Sequence, residues 1–226
     1  MNFEPCVYVS RILVNNLDKT REYFEGLSLQ KNNTEGYHIL ESSEETIVIN
    51  YYRVINTFDF SFDKEKNKIV SEETPKIMNA ELRFNLETKT LIVWGKPCVI
   101  KFINKILQDQ ELFQVISNEL EFDNLYRNFS KCKSEITEVS FNDIRVLNKY
   151  IPNATLSTTS SSDALYLVKN LGAEISRVKI KIFSKYDDFV ELDINLVDGI
   201  IKFNYQVIDK VFIEDIKEII NNLKLI

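Results

Sequence analysis

The sequence predicts an α+β fold with two mostly antiparallel sheet-plus-helix lobes, and three observations support this prediction. Short stretches of alternating apolar and polar residues recur along the chain, as in strands that bury one face. Two amphipathic helical stretches each follow a pair of such strands. The sixteen residues at 80–95, AELRFNLETKTLIVWG, also recur at 190–205 as VELDINLVDGIIKFNY.

The recurrence bears on the whole architecture because its period is about half of the 226-residue chain. Four aligned pairs are identical: Glu81/Glu191, Leu82/Leu192, Asn85/Asn195 and Leu86/Leu196. Four identities in sixteen are compatible with chance as well as with a diverged internal duplication, so both interpretations stay open. In either case we expect an N-terminal lobe at 1–125 and a C-terminal lobe at 130–226, each long enough to bury a core.

In the first half, Asn16 is a suitable N-cap for a helix, and Pro97 suits the first turn of another. The polar segment at 57–75, with its charge-dense DKEKNK core, predicts an extended loop. The predicted elements are a strand at 6–14, a helix at 17–27, strands at 36–41 and 46–55, a hairpin at 78–86 and 90–94, and helices at 97–109 and 109–124.

In the second half, Asp198-Gly199 is the clearest hairpin signal, and Gly172 suits the end of a short helix capped by Ser162 or Asp163. The low-complexity stretch LSTTSSSD predicts a capped loop, since it lacks the Gly and Lys of a phosphate-binding loop. The predicted elements are a strand at 136–146, a helix at 163–171, strands at 175–183, 189–196 and 200–205, and a helix at 213–223.

In element order alone, this tandem resembles the duplicated saddle of the TATA-binding protein. The resemblance implies helices packed on a curved sheet. It implies nothing about function, because such folds support many unrelated activities.

Composition and charge exclude several classes of protein. A net charge of −6 provides no overall field to attract a phosphate backbone. The three cysteines form no CxxC pair, which argues against a disulfide scaffold or a zinc site, and Cys6 and Cys98 are expected to be core residues. No signal-like N-terminus or long apolar run is present, so we expect a cytoplasmic protein with no membrane partner.

Motifs for catalysis are weak. His38 is the only histidine, so any histidine-based site depends on it, and a structural role is expected. Glu191, Asp193 and Asn195 share a strand face and have the oxygen ligands of a cation site, but opposite-charge pairing with a neighbouring basic strand is favoured. No nucleotide-binding loop is present, and a PD-(D/E)xK nuclease is disfavoured. The sequence therefore predicts no enzyme, catalytic residue, metal or cofactor, with a dispersed site around His38 or Asp193 as the remaining alternative.

Two surfaces are candidates for binding. Phe58, Phe60 and Phe62 alternate with acidic or small residues, which is typical of a half-buried strand, and we expect them to pack in the core or between the halves. The lone Trp94 is likewise expected to pack between helix and sheet. The alternative is that these four side chains dock to a protein partner, and they are the candidate partner-binding residues. The expected function is an accessory subunit of a larger intracellular assembly. The alternative is a nucleic-acid-binding module whose curved sheet presents Arg177, Lys179 and Lys181.

Overall fold

The computed structural model describes residues 6–15, 17–26, 34–109, 111–146, 149–185, 188–204, 210–221 and 223. These residues form eleven strands and five helices. The strands are β1 (Cys6–Val14), β2 (Glu35–Ser42), β3 (Thr46–Asp63), β4 (Lys68–Asn85), β5 (Thr90–Gly95), β6 (Phe113–Ser117), β7 (Ser134–Val146), β8 (Lys149–Ser157), β9 (Glu174–Phe183), β10 (Phe189–Asn195) and β11 (Ile200–Asn204). The helices are α1 (Leu17–Gly26), α2 (Pro97–Asp109), α3 (Phe122–Phe129), α4 (Ser161–Leu171) and α5 (Lys210–Asn221).

All eleven strands belong to one antiparallel sheet, so the α+β class is confirmed, whereas the strands of the two predicted lobes are joined in a single sheet. The order is β2-β3-β4-β5-β1-β11-β10-β9-β7-β8. Strand β1 joins the halves because β5 pairs along one of its edges, while β11 and then β6 pair along the other. The division into residues 1–125 and 130–226 stays a prediction.

The two hydrophobic cores lie on opposite faces of this sheet. In β1, Cys6 and Tyr8 point into a core with α1 and α2, whereas Val7 and Val9 point into a core with α3, α4 and α5. Alternate residues of a strand face opposite sides, so we name these sides face A, covered by α1 and α2, and face B, covered by α3, α4 and α5. Among the described residues, the helices cover face A in one half and face B in the other, so the likeness to the saddle does not extend beyond element order.

Most predicted strands and helices are confirmed, and the errors fall where the local pattern was ambiguous. The predicted loop at 57–75 is wrong, because β3 and β4 continue through it as a paired hairpin. The predicted helix at 109–124 is also wrong, because Phe113–Ser117 pairs with the edge of β1 that β11 leaves unpaired. Helix α4 ends at the left-handed Gly172, as predicted, but its N-cap is Ser160 and not Ser162 or Asp163.

The recurring stretches fold as two hairpins with the same register. Glu81 pairs with Trp94 as Glu191 pairs with Asn204. In both turns the first asparagine side chain, Asn85 or Asn195, accepts a hydrogen bond from the amide three residues later. The last turn residue has positive φ in each, at Lys89 and Gly199, and its carbonyl accepts from a β1 amide. Common ancestry of the halves stays a prediction.

Candidate interaction surface

The hairpin of β3 and β4 extends beyond the rest of the sheet. All residues from Thr46 to Asp63 pair with β4, but β2 accompanies β3 only as far as Arg53. Strand β5 accompanies β4 only as far as Ala80. The ten pairs from Val54–Ile77 to Asp63–Lys68 therefore form a two-stranded projection, which we call the arm. At about 3.3 Å per residue it is roughly 30 Å long.

The arm is amphipathic. Antiparallel partners share a face, so one side of the arm, its aromatic face, has five exposed apolar side chains: Phe58, Phe60, Phe62, Ile69 and Ile77. The phenylalanines are 58%, 73% and 57% exposed, so packing in the core is excluded for them. The opposite side is polar, and there the ammonium of Lys76 lies 3.1 Å from an oxygen of Asp59.

The tip of the arm is a charged turn. The Asp63 carboxylate accepts hydrogen bonds from the amides of Glu65 and Lys66 at 3.0 and 3.1 Å. Asn67 has a φ of 46°, a left-handed conformation that asparagine tolerates well. Because ionised side chains at the tip are costly to remove from water, the arm is suited to contact a partner along its side.

A pocket of about 190 Å³ lies on face A at the base of the arm. It opens between the arm and α2, and sequence reasoning did not identify it. Its lining is mostly apolar, from residues Tyr51, Arg53, Ile55, Met78, Cys98, Val99 and Phe102. Cys98 is exposed here, which corrects its prediction as a core residue.

Arg53 borders this pocket and contacts two of its neighbours. Its guanidinium carbon lies 4.4 Å from the centre of the Phe102 ring, within cation–π distance. Its Nε lies 3.9 Å from Oε2 of Glu35, and the other carboxylate oxygen, Oε1, accepts a 2.9 Å hydrogen bond from the Tyr51 hydroxyl. Burial and the neighbouring Glu35 raise the pKa of Tyr51, so this hydroxyl remains a proton donor at neutral pH.

Trp94 lies in the interior. Its ring is only 8% exposed, it packs against Phe203 at a centroid distance of 5.7 Å, and its Nε1 donates to Asn221 of α5 at 3.2 Å. Lys217, also on α5, lies 5.7 Å above the ring. Trp94 therefore packs between sheet and helix, and a partner cannot reach it in this conformation.

The predicted basic face, on β9, is flanked by carboxylates on both sides. Arg177 forms an ion pair with Asp193 through two nitrogens, and Lys179 lies 3.1 Å from Glu138. Lys181 pairs in register with Glu191 and with Glu135. The cross-strand pairing expected for Asp193 is thus present, and the cations of this face have acidic neighbours.

The remaining candidate groups are dispersed. His38 is exposed on the edge strand β2. Burial raises the pKa of Cys6 to about 11, and burial with Asp215 raises the pKa of Cys132, so neither thiol is activated as a nucleophile. Among Thr158–Ser162, hydroxyls make internal bonds: Thr158 to the Ile136 carbonyl, and Thr159 to Asp163 at 2.6 Å.

The part of the chain that the structure describes contains no group of three or more His, Cys, Asp or Glu side chains that could hold a metal ion. Within the same residues, no helix is long and apolar enough to cross a membrane. Compared with protein-family profiles and with curated proteins, the chain shows no match. The functional argument therefore depends on the arm and its surroundings.

Proposed function

We propose that this protein is a non-enzymatic accessory subunit of a larger intracellular assembly and that it docks to a protein partner through the aromatic face of its arm. The observation that carries the proposal is the row of Phe58, Phe60 and Phe62, each more than half exposed on a projecting hairpin. Clustered exposed aromatic side chains are typical of protein–protein interfaces.

The magnitudes are consistent with such a contact. Burying one phenylalanine side chain stabilises a complex by about 1.5–3 kcal/mol, so the three together supply roughly 5–9 kcal/mol. Association costs about 4–15 kcal/mol in lost freedom of motion. The aromatic row therefore offsets much of this cost, and hydrogen bonds to those edge groups of the arm that no described residue pairs can add to it.

The alternative, a nucleic-acid-binding module, has less support. Its candidate cations, Arg177 and Lys179, form ion pairs with Asp193 and Glu138, which lowers their attraction for phosphate. Aromatic stacking on the arm would bring Glu72 and Glu73, both exposed, close to a phosphate backbone. The discriminating substitution is Lys179→Glu, which weakens binding to DNA or RNA only if this alternative holds.

The test is affinity capture from lysate of the native host, with and without nuclease. We expect the wild-type chain to retain a stoichiometric protein partner that survives nuclease. The variant Phe58→Ser/Phe60→Ser/Phe62→Ser should lose it, because the aromatic face is removed while both hydrophobic cores stay intact.

A matched control removes exposed apolar side chains elsewhere, through Tyr150→Ser and Tyr166→Ser, at positions 62% and 68% exposed. This control should retain the partner. Equal capture by all three chains, or capture of nucleic acid alone, would contradict the proposal. Circular dichroism of each variant confirms that the fold is unchanged.

A further inference from the structure

The pocket at the base of the arm is suited to bind an aromatic side chain such as those on the aromatic face. Its wall is apolar, formed by Ile55, Met78, Val99 and Phe102, and its volume of about 190 Å³ suits an aromatic side chain. Its mouth is open to solvent beside Cys98, which is exposed. A phenylalanine from outside can therefore enter it.

The charges around the two surfaces are opposite in sign. On α2, Lys101 and Lys105 are exposed and lie three and seven residues after Cys98, so the helical repeat places them beside the pocket. They make its rim on α2 basic, since no Asp or Glu occurs at 95–108, whereas Arg53 is already paired with Glu35. On the aromatic face, Glu73 pairs in register with Phe58, and it is exposed.

The arm of the same chain cannot reach this pocket. Phe60 lies seven residues beyond Arg53 on β3, which is about 23 Å along the strand. An odd separation also places the two side chains on opposite faces of the hairpin. An aromatic side chain in this pocket must therefore come from another molecule.

Resting on the proposed function of the arm, we infer that the pocket receives the aromatic face of a second copy of this chain. One phenylalanine of the row enters the apolar pocket, and Glu73 meets the basic rim formed by Lys101 and Lys105. Arm and pocket are different surfaces, so the contact is heterologous. Each bound copy leaves one arm and one pocket free, and the copies associate head to tail.

Sedimentation velocity of the purified full-length chain over a rising concentration series tests this inference. We expect open-ended association that weakens as salt is added, because charges contribute to the contact. An arm variant, Phe58→Ser/Phe60→Ser/Phe62→Ser, and a pocket variant, Cys98→Trp, should each associate at least tenfold more weakly alone, on the order of a lost hot spot. A second pocket variant, Lys101→Glu/Lys105→Glu, changes exposed positions only and should behave similarly.

The decisive sample is an equimolar mixture of the arm variant and the pocket variant. The first retains its pocket and the second retains its arm, so the mixture should form a 1:1 dimer and nothing larger. Association of wild type without association of this mixture overturns the inference and indicates contact between identical arms. Wild type that stays monomeric also overturns it, and if such a chain still captures a partner through its arm, the proposed function stands.

Discussion

At the scale of single residues, the turns that follow β4 and β10 both end on a residue with positive φ, but the free-energy cost of that conformation differs between them. Gly199 has a φ of +64°, and a Cβ there would lie 2.2 Å from the carbonyl oxygen of Val9. Lys89 occupies the equivalent position with a φ of 54°. The left-handed conformation is easy for glycine and costs about 1 kcal/mol for other residues.

We therefore expect opposite outcomes for two substitutions at these positions. Gly199→Ala should lower the free energy of unfolding by more than about 2 kcal/mol, since it adds a backbone clash to an unfavourable φ. Lys89→Gly should change it by less than about 1 kcal/mol, because relief of strain and added freedom of the unfolded chain nearly cancel. Urea denaturation measures both, and equal effects would contradict the turn geometry.

A second residue-scale prediction concerns Cys6, whose pKa burial raises from 9.0 to about 11. A raised folded-state pKa stabilises the fold below pH 9, and this contribution is lost as pH rises from 9 to about 11. The loss amounts to about 2–3 kcal/mol at most. Urea unfolding at several pH values should show that the free energy of unfolding declines less steeply with pH for Cys6→Ala than for wild type. Val7→Ala, which removes no titratable group, should keep the wild-type slope.

At the scale of elements, the predictions from sequence succeeded where a pattern had one meaning. The alternation in β1, β9 and β10 and the Asp198-Gly199 turn led to correct strands. The sequence predicts a loop in place of the arm, because the four charged or polar residues of its hairpin turn resemble a loop. The alternation of Phe58, Phe60 and Phe62 is the one signal that indicates a strand there. The sequence does not predict strand β6, because its pairing partner β1 lies about a hundred residues earlier in the chain.

The pocket could not be predicted at all. It depends on the packing of α2 against β3 and β4, and these elements are distant in sequence. One signal was available, since Arg53 interrupts the apolar stretch YYRVI at a position that faces α2. The length of the arm likewise depends on the pairing register of β3 and β4, which the local sequence pattern does not determine.

The arm should be dispensable for folding. Its ten residue pairs extend past β2 and β5, so replacing residues 56–75 with Asn-Gly, a favoured two-residue hairpin turn, leaves both described cores intact. We expect the midpoint of thermal unfolding to change by less than about 5 °C. Differential scanning calorimetry measures this change, and loss of the cooperative transition would show that the arm supports the core.

At the scale of the whole molecule, the central strands join two cores. Strand β5 contributes Leu91 and Val93 to the core on face A, and Ile92 and Trp94 to the core on face B. Neither half can bury both faces of β1 and β5 alone. Residues 1–125 expressed separately are therefore expected to expose Val7, Val9 and Trp94 and to aggregate or bind the remaining half.

Trp94→Ala tests this coupling directly. It removes the packing against Phe203 and the hydrogen bond to Asn221, and we expect a loss of about 3–5 kcal/mol in the free energy of unfolding. The variant should still unfold in a single transition, because the halves share one sheet. Far-ultraviolet circular dichroism and hydrogen exchange, neither of which depends on the tryptophan, follow this transition. Two separate transitions would indicate that the halves unfold independently.

The central claim is that the arm is the docking element of this protein, and site-specific photo-crosslinking in the native host tests it most directly. A photoreactive phenylalanine analogue is placed at Phe60 in one chain and at Tyr166 in another, two positions of similar exposure at 73% and 68%. We predict a discrete crosslinked product from position 60 and none from position 166, and its mass distinguishes a second copy from another protein. Identical crosslinking from the two positions, or none from position 60, would contradict the claim.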